Sequence, residues 1–272
     1  MQKQIFKTNM DDIPSEPDSV PKRSPLISII TVVYNSQQFL EGTIQSIAAQ
    51  QSSNFEYIII DGGSTDGTLD IIKNYPEVVD YWISEPDKGL YDAMNKGLKA
   101  AKGQYVWFIN SGDKIYDEST ILLVESMALQ NEYPDVIFGE TVIIDTEDKE
   151  IGMRRLSTPD ILTWQKLIDG LVVCHQAILV KRSLAPFYNI KFKISADYDW
   201  ILTSLRKSKT IDNSHLILAR YLDNGLSKNN IPRALKERFM VMSKNFGFAK
   251  TAANHILIGS RFIKYVVQNR RF

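Results

Sequence analysis

The feature that most constrains this 272-residue chain is a regular alternation, over residues 26–110, of short β-branched runs with amphipathic segments. Leu26–Tyr34 reads LISIITVVY, an apolar run without polar alternation, which marks a strand covered on both faces. Gln37–Gln51 follows with Leu40, Ile44, Ile47 and Ala48 at helical spacing. Phe55–Ile60 (FEYIII) is a second buried strand, and the turn-rich loop Asp61–Gly67 leads into a short helix over Thr68–Asn74, capped by Thr65 or Asp66. Val78–Ile83 reads as a third strand, Leu90–Lys102 as a helix closed by Gly103 as its C′ glycine, and Gln104–Asn110 as a fourth strand. This alternation predicts an α/β fold with a Rossmann-like, mostly parallel sheet and helices on both faces.

The second half is less regular. Asp135–Phe138, Glu140–Asp145, Val172–Lys181 and Ile211–Tyr221 read as strands, and Ala196–Ser208 as a helix carrying Trp200, Ile201 and Leu205. Two helical segments, Pro232–Asn245 and Ala249–Asn269, close the chain. Residues 1–24 hold Pro14, Pro17 and Pro21 and no apolar core, so they read as a disordered leader rather than a signal peptide. Residues 25–227 form the expected domain, and 228–272 a basic amphipathic helical tail. The chain has 32 basic and 32 acidic residues, but 228–272 holds ten Lys/Arg against the single acid Glu237, so the tail carries +9 and the body −9.

That asymmetry bears on partners. A basic amphipathic tail suits an anionic membrane surface, while an acidic body disfavours nucleic acid. No run approaches the roughly 18 apolar residues of a membrane span. The lone Cys174 excludes a disulfide scaffold and a Cys-cluster zinc site and points to a reducing compartment. His175, His215 and His255 lie too far apart in sequence for a local metal motif.

In an open parallel sheet, ligands bind beyond the carboxyl ends of the strands. Those ends carry Val33-Tyr34-Asn35, Asp61, Ser84-Glu85-Pro86-Asp87 and Asn110-Ser111-Gly112-Asp113. An acidic crevice holds a diphosphate best through a divalent cation, and carboxylate oxygens suit Mg²⁺ or Mn²⁺. No G-x-G-x-x-G follows the first strand and no G-x-x-x-x-G-K-[ST] occurs, which removes the dinucleotide and P-loop solutions.

The runs Ser28-Ile-Ile-Thr-Val-Val-Tyr-Asn35, Ile60-Asp-Gly-Gly-Ser-Thr-Asp-Gly-Thr68 and Ser84-Glu-Pro-Asp-Lys-Gly-Leu-Tyr-Asp-Ala-Met-Asn-Lys-Gly97 resemble family 2 glycosyltransferases of the bacterial exopolysaccharide and colanic-acid type. Asn110-Ser-Gly-Asp113, His175-Gln176 and Ser195-Ala-Asp-Tyr198 extend the resemblance over residues 26–227. It implies the GT-A fold, a UDP-, GDP- or dTDP-sugar donor and inversion at the anomeric carbon. Carried over residue by residue, it places Asp61 against the base or ribose, with Gly62 standing where the pattern has a second acid. Val33, Tyr34, Asp87, Asn95, Ser111 and Gly112 join Asp61 on the donor side. Asp113 is the implied metal ligand, and Asn110-Ser111-Gly112 replaces the usual Asp-x-Asp. Asp197 is the implied catalytic base. Asp199 is its rival, but a helix turns by about 200° between i and i+2, so one of the two faces the crevice. His175 and Gln176 fall on the acceptor or phosphate side, and Gly225-Leu-Ser227 resembles a late loop near the donor phosphates.

The expected protein is therefore a cytoplasmic, peripherally membrane-bound enzyme at the inner face of the cell membrane, acting on a lipid-linked saccharide. A sugar-nucleotide-binding scaffold without activity is the alternative, supported by the lost Asp-x-Asp acids. A nucleotidyltransferase would need a glycine-rich, basic triphosphate loop after the first strand, and Asn35-Ser-Gln-Gln38 supplies none.

Overall fold

Both faces of the first strand are covered in the computed structural model, which describes residues 24–223 and 230–257. All seven residues of β1 (Ile27–Val33) are buried. Successive side chains point to opposite faces of a strand, so Ile30 and Val32 enter one core while Ile27, Ile29 and Val33 enter the other. The first core is closed by α3 (Leu90–Ala100), α5 (Ala196–Lys207) and α6 (Ile231–Phe246). The second is closed by α1 (Leu40–Ala48), α2 (Thr68–Lys73) and α4 (Thr120–Gln130). The expected α/β architecture with helices on both faces is thus present.

Around β1, the strands β2 (Phe55–Asp61), β3 (Tyr81–Ser84) and β4 (Tyr105–Phe108) are all parallel. Their register sets Val33 beside Asp61 and Asp61 beside Ser84, one row of chain ends at the carboxyl edge. Beyond β4 the sheet turns mixed. With β5 at Lys114–Ile115, β6 at Val136–Ile144, β7 at Glu150–Met153, β8 at Ile178–Lys181 and β9 at Ile211–Leu222, the order is β3-β2-β1-β4-β8-β6-β9-β5, and β7 pairs with β6. β8 is antiparallel to β4 and β6, whereas β9 runs parallel to β6.

Several sequence boundaries are corrected. The two strands expected at 135–138 and 140–145 are one strand, β6, whose register against β9 shifts around Gly139. A Cβ there would stand 2.5 Å from the Leu216 carbonyl oxygen, so glycine lets β9 close in. Of the strand expected at 172–181, only Ile178–Lys181 is extended, and His175–Ala177 is a 3₁₀ turn. The turn brings the Gln176 carbonyl to the Trp107 indole N–H at 2.8 Å. Gly103 is no C′ glycine. Helix α3 ends at Ala100, and Gly103 passes so close to β1 that a Cβ would lie 2.5 Å from the Ser28 nitrogen.

Helix α6 does not stand apart as a free tail. Ala234, Glu237, Val241 and Met242 are buried against the domain, and Phe246 stacks on Trp164 with ring centroids 5.5 Å apart. Residues 248–257 are helical, matching the start of the segment expected at 249–269. The 1–24 leader except for its last residue, the 225–227 loop and the chain beyond 257 lie outside the described residues. Among the described residues, no helix is long and apolar enough to cross a membrane.

Candidate active site

The carboxyl edge of β1, β2 and β3 is organised around Asp61. Its side chain is fully buried, and one carboxylate oxygen accepts the N–H groups of Gly63 (3.0 Å) and Ser64 (2.9 Å) and the Ser84 hydroxyl (2.6 Å). The other oxygen accepts the Ser64 hydroxyl. Asp61 thereby shapes the glycine-rich loop from inside, and that loop is also tied to Asn35, whose amide oxygen accepts the Thr65 N–H at 2.8 Å. Asn35 holds a left-handed backbone (φ 45°), which asparagine tolerates better than most residues. Asp66 accepts the Thr68 N–H at 3.0 Å and the Gln37 N–H at 3.1 Å, which ties the start of α2 to the β1 loop, but the N-cap position is Gly67 rather than the expected Thr65 or Asp66.

Tyr34 is 64% exposed on this rim. A Cβ on Gly62 would stand 3.4 Å from its ring and 2.5 Å from an Asp87 carboxylate oxygen. The place of the missing second acid is therefore filled by the carboxylate of Asp87, arriving from the next loop. The other Asp87 oxygen accepts the Gly89 N–H at 2.7 Å. Lys96 pins the same loop through Glu85 (2.9 Å) and the Pro86 carbonyl (3.2 Å), and Asp92 accepts the Lys88 N–H at 3.0 Å. Tyr34, Gly62 and Asp87 are brought together. Val33 is buried and presents its carbonyl to the Gly62 N–H at 2.9 Å.

Asn95 is turned elsewhere. Its amide nitrogen donates to the Tyr188 carbonyl at 3.0 Å, and its oxygen accepts the Tyr188 N–H at 2.7 Å. Both polar ends of this sequence-expected donor contact are thus committed to anchoring the 188 segment.

Past β4, Ser111 shares a hydroxyl contact with Ser36 at 2.7 Å, and Gly112 donates its N–H to the Thr43 hydroxyl at 2.9 Å. Gly112 has φ +94°, and a Cβ would lie 2.6 Å from Leu222 Cδ2, so this turn requires glycine. Asp113 is buried, with one oxygen accepting the Gln176 amide at 2.8 Å and the other the Leu222 N–H at 3.0 Å. Burial pushes its carboxyl up to about 7, because those hydrogen bonds offset desolvation only in part. In the same turn, where the Asp113 N–H bonds the Asn110 carbonyl, the Asn110 side-chain oxygen is buried without a partner among the described residues.

A buried carboxylate with no ion pair among the described residues, in one turn with an orphaned carbonyl oxygen, suits a hard cation. Among the described residues, no three His, Cys, Asp or Glu side chains gather to hold a metal. A cation here would thus take most of its ligands from substrate phosphates and water. Gln176 supports Asp113 from behind.

A second acid comes from α5. Asp197 stands in its first turn, half-buried, with its carboxylate accepting the Tyr198 N–H at 2.8 Å and the Tyr91 hydroxyl at 3.4 Å. Burial raises its carboxyl above the usual range, and the nearby Arg238 charge opposes the shift. Asp199 looks to α6, where Lys244 opposes the upward push of burial. Tyr221 of β9 lies within the fields of Asp113, Asp197 and Asp223, which add to burial in raising its hydroxyl. Asp113, bonded to the Leu222 N–H at the end of β9, and Asp197 both lie within electrostatic reach of the Tyr221 hydroxyl, a residue the sequence reading passed over because it ends a strand without any motif.

Behind Asp197 lies an aromatic stack. Tyr188 stacks on Trp200 at 5.3 Å and on Tyr91 at 5.5 Å. His175 is enclosed by Phe108 and Trp200, and its Nε2 meets the Tyr188 hydroxyl at 2.7 Å. Burial pulls its pKa down to about 3, so it is neutral at pH 7. His175 and Trp200 are wall, not rim.

Comparison with known proteins identifies the family and the fold. The glycosyl transferase family 2 model matches residues 28–185. A PGL/p-HBAD biosynthesis glycosyltransferase of Mycobacterium bovis is 30% identical over 233 residues, covering 82% of this chain and 87% of its own. Bacillus subtilis TuaG, named for teichuronic acid biosynthesis, is 26% identical over 85% of this chain and 96% of its own. Staphylococcus aureus TarS 1-349 in complex with UDP superposes with TM-score 0.66 at 17% identity, over 89% of this chain and 73% of that one. A Pyrobaculum calidifontis mannosyltransferase with GDP-Man and Mn²⁺ gives 0.58 at 14%, over 88% and 76%. The parallel sheet with its acidic carboxyl edge is a GT-A fold, and the chain belongs to glycosyl transferase family 2.

Proposed function

We propose that this glycosyltransferase inverts the anomeric centre as it moves a sugar from a nucleoside-diphosphate donor to a hydroxyl of a lipid-linked saccharide, at the inner face of a bacterial cell membrane. The observation that supports the reading is that two buried or half-buried acids, Asp113 beside the end of β9 and Asp197 in the first turn of α5, both lie within electrostatic reach of the Tyr221 hydroxyl. Inversion by direct displacement needs a base on the acceptor side and charge stabilisation on the leaving-group side.

In this reading, Asp197 takes the proton of the acceptor hydroxyl as the glycosidic bond forms, a contribution of about 10²–10⁴-fold for a positioned base. Its raised pKa, caused first by burial, makes it a stronger base than an exposed carboxylate. Tyr34 offers a face for the nucleobase, and Asp87 offers acceptor oxygens to base or ribose. Mg²⁺ or Mn²⁺ held by Asp113, with the Asn110 oxygen beside it, would offset the charge on the departing nucleoside diphosphate. The donors UDP-GlcNAc and GDP-Man seen with neighbours of the same fold support a nucleotide-sugar, and the relatives named for PGL/p-HBAD and teichuronic acid biosynthesis support an acceptor in the assembly of such products. The exposed apolar and basic groups of the tail support peripheral membrane contact.

Asp197→Asn tests the assignment. Turnover is expected to fall at least about 10²-fold while the thermal shift produced by UDP, GDP or dTDP stays at the wild-type value. Near-wild-type turnover would move the base to Asp199.

A further inference from the structure

Glu237 is the single acid of residues 228–272, and it is buried, where an ionised carboxylate without partners is costly. Its partners lie outside its own helix as well as within it. The carboxylate accepts the Lys193 N–H on both oxygens at 3.0 Å, the Ile194 N–H at 2.8 Å and the Ser195 N–H at 3.1 Å. Arg233 one turn earlier on α6 supplies a charged bond at 2.9 Å. Three consecutive main-chain donors are thus gathered by one carboxylate just before α5, two residues ahead of Asp197. Bonds to an ionised acceptor are the strong kind.

The same three residues are held from other directions. The Tyr91 hydroxyl of α3 donates to the Ile194 carbonyl at 2.7 Å and reaches the Asp197 carboxylate at 3.4 Å. The Ser195 hydroxyl donates to the Ala234 carbonyl of α6 at 3.1 Å, and the Lys193 ammonium to the Lys88 carbonyl at 3.0 Å. Residues 193–195 are therefore clamped between α3 and α6. Arg238, next after Glu237, adds a positive charge felt by Asp197. A structural anchor for α6 alone could be apolar, as Val241 and Met242 are. A carboxylate aimed at the chain entering α5 does something more specific.

We propose that Glu237 is a positioning residue for glycosyl transfer: by gathering the 193–195 N–H groups it fixes Asp197 against the reacting hydroxyl and makes α6 part of the catalytic unit. The inference rests on Asp197 as the base. Misplacing a reacting group by about 1 Å costs up to about 10²-fold.

The test uses the full chain with UDP-GlcNAc and GDP-mannose as probes and nucleotide release as the readout. Glu237→Gln keeps the shape but turns one acceptor into a donor. Its kcat is expected to fall about 10-fold, within that range, with the nucleotide KM and the nucleotide-induced thermal shift unchanged. In an Asp197→Asn background the same change is expected to cost nothing further, since a base already absent cannot be misplaced. Wild-type kcat in a folded Glu237→Gln protein, or the same added loss in both backgrounds, overturns the proposal. Wild-type turnover by Asp197→Asn alone instead overturns the base assignment on which it rests. Amide exchange gives a reading independent of turnover: protection at 193–197 is expected to drop in Glu237→Gln while 61–66 is unchanged, and retained protection at 193–197 overturns the proposal. Should Glu237→Gln not fold, Glu237→Asp keeps the charge but shortens its reach to the same three N–H groups, and unchanged kcat in that variant is equally decisive against it.

Discussion

Gly62 leaves room that Asp87 fills, and that trade sets what a single residue can change at the donor rim. Gly62→Asp would restore the acid that the family pattern has there, but its Cβ would begin 2.5 Å from an Asp87 oxygen. Two carboxylates about 4 Å apart repel by roughly 1–4 kcal/mol between bulk water and a protein surface. The expected outcome is a smaller thermal shift with the cognate nucleotide, restored in part when Asp87→Asn is added. The pH dependence of turnover belongs to the same scale. As the proposed base, Asp197 would act in its ionised form, so kcat/KM is expected to fall as pH drops through its pKa, and burial places that limb above the ordinary 3.9 or so of an aspartate. Arg238→Gln removes a charge that favours the ionised form and is expected to move the limb upward, whereas Asp197→Asn abolishes it. Residue types at strand ends were legible in the sequence, but their partners were not. Asn95 and His175 sit in matching motifs, yet one is spent on the Tyr188 main chain and the other is enclosed by aromatics. Only three-dimensional packing distinguishes those uses from ligand contacts.

Elements with one strong local signal were readable, and elements lacking one were not. β1, β2 and β4 are continuous β-branched or aromatic runs because the sheet is covered on both sides, and the sequence carries that directly. Helix α4 went unseen because apolar residues run all around it, with Leu122, Leu123 and Leu129 left exposed, so no 3.6-residue stripe appears. β5 and β7, with two and four residues, are strands only by virtue of their partners β9 and β6. Helix α3 shows how closely an element can be fitted. Gly97 faces β1, and a Cβ there would lie 2.5 Å from Ile30 Cγ2. Gly97→Ala therefore gains helix propensity but overpacks the α3–β1 contact, a cost of typically 1–3 kcal/mol. Melting is expected to fall by about 2–4 °C per kcal/mol for a domain of this size. A Tm at or above that of wild type by scanning calorimetry would show that α3 can slide on the sheet.

For the whole molecule, the question is what the separation of charge, −9 over residues 1–227 and +9 over 228–272, accomplishes once α6 is seen to be packed. Packing uses one side of α6 and leaves Ile231, Leu235 and Met240 exposed, and Phe248, Ile256 and Leu257 are exposed on the helical residues that follow. Arg233, Lys236, Lys244 and Lys250 lie among them in sequence. Exposed apolar groups interspersed with cations are the composition of an interfacial surface, and each basic residue near an anionic bilayer is worth about 1 kcal/mol. The full chain is expected to sediment with phosphatidylglycerol vesicles at low ionic strength and much less with phosphatidylcholine. Raising salt to about 0.5 M should release most of it, because screening shortens the reach of the charges to a few ångströms. Deleting 228–272 is a poor test, since it also removes Glu237 and the buried Val241 and Met242. Leu235→Glu combined with Ile256→Glu touches exposed positions alone. Vesicle binding is expected to fall several-fold with Tm and nucleotide shift unchanged, and unaltered binding would assign the basic segment to another partner.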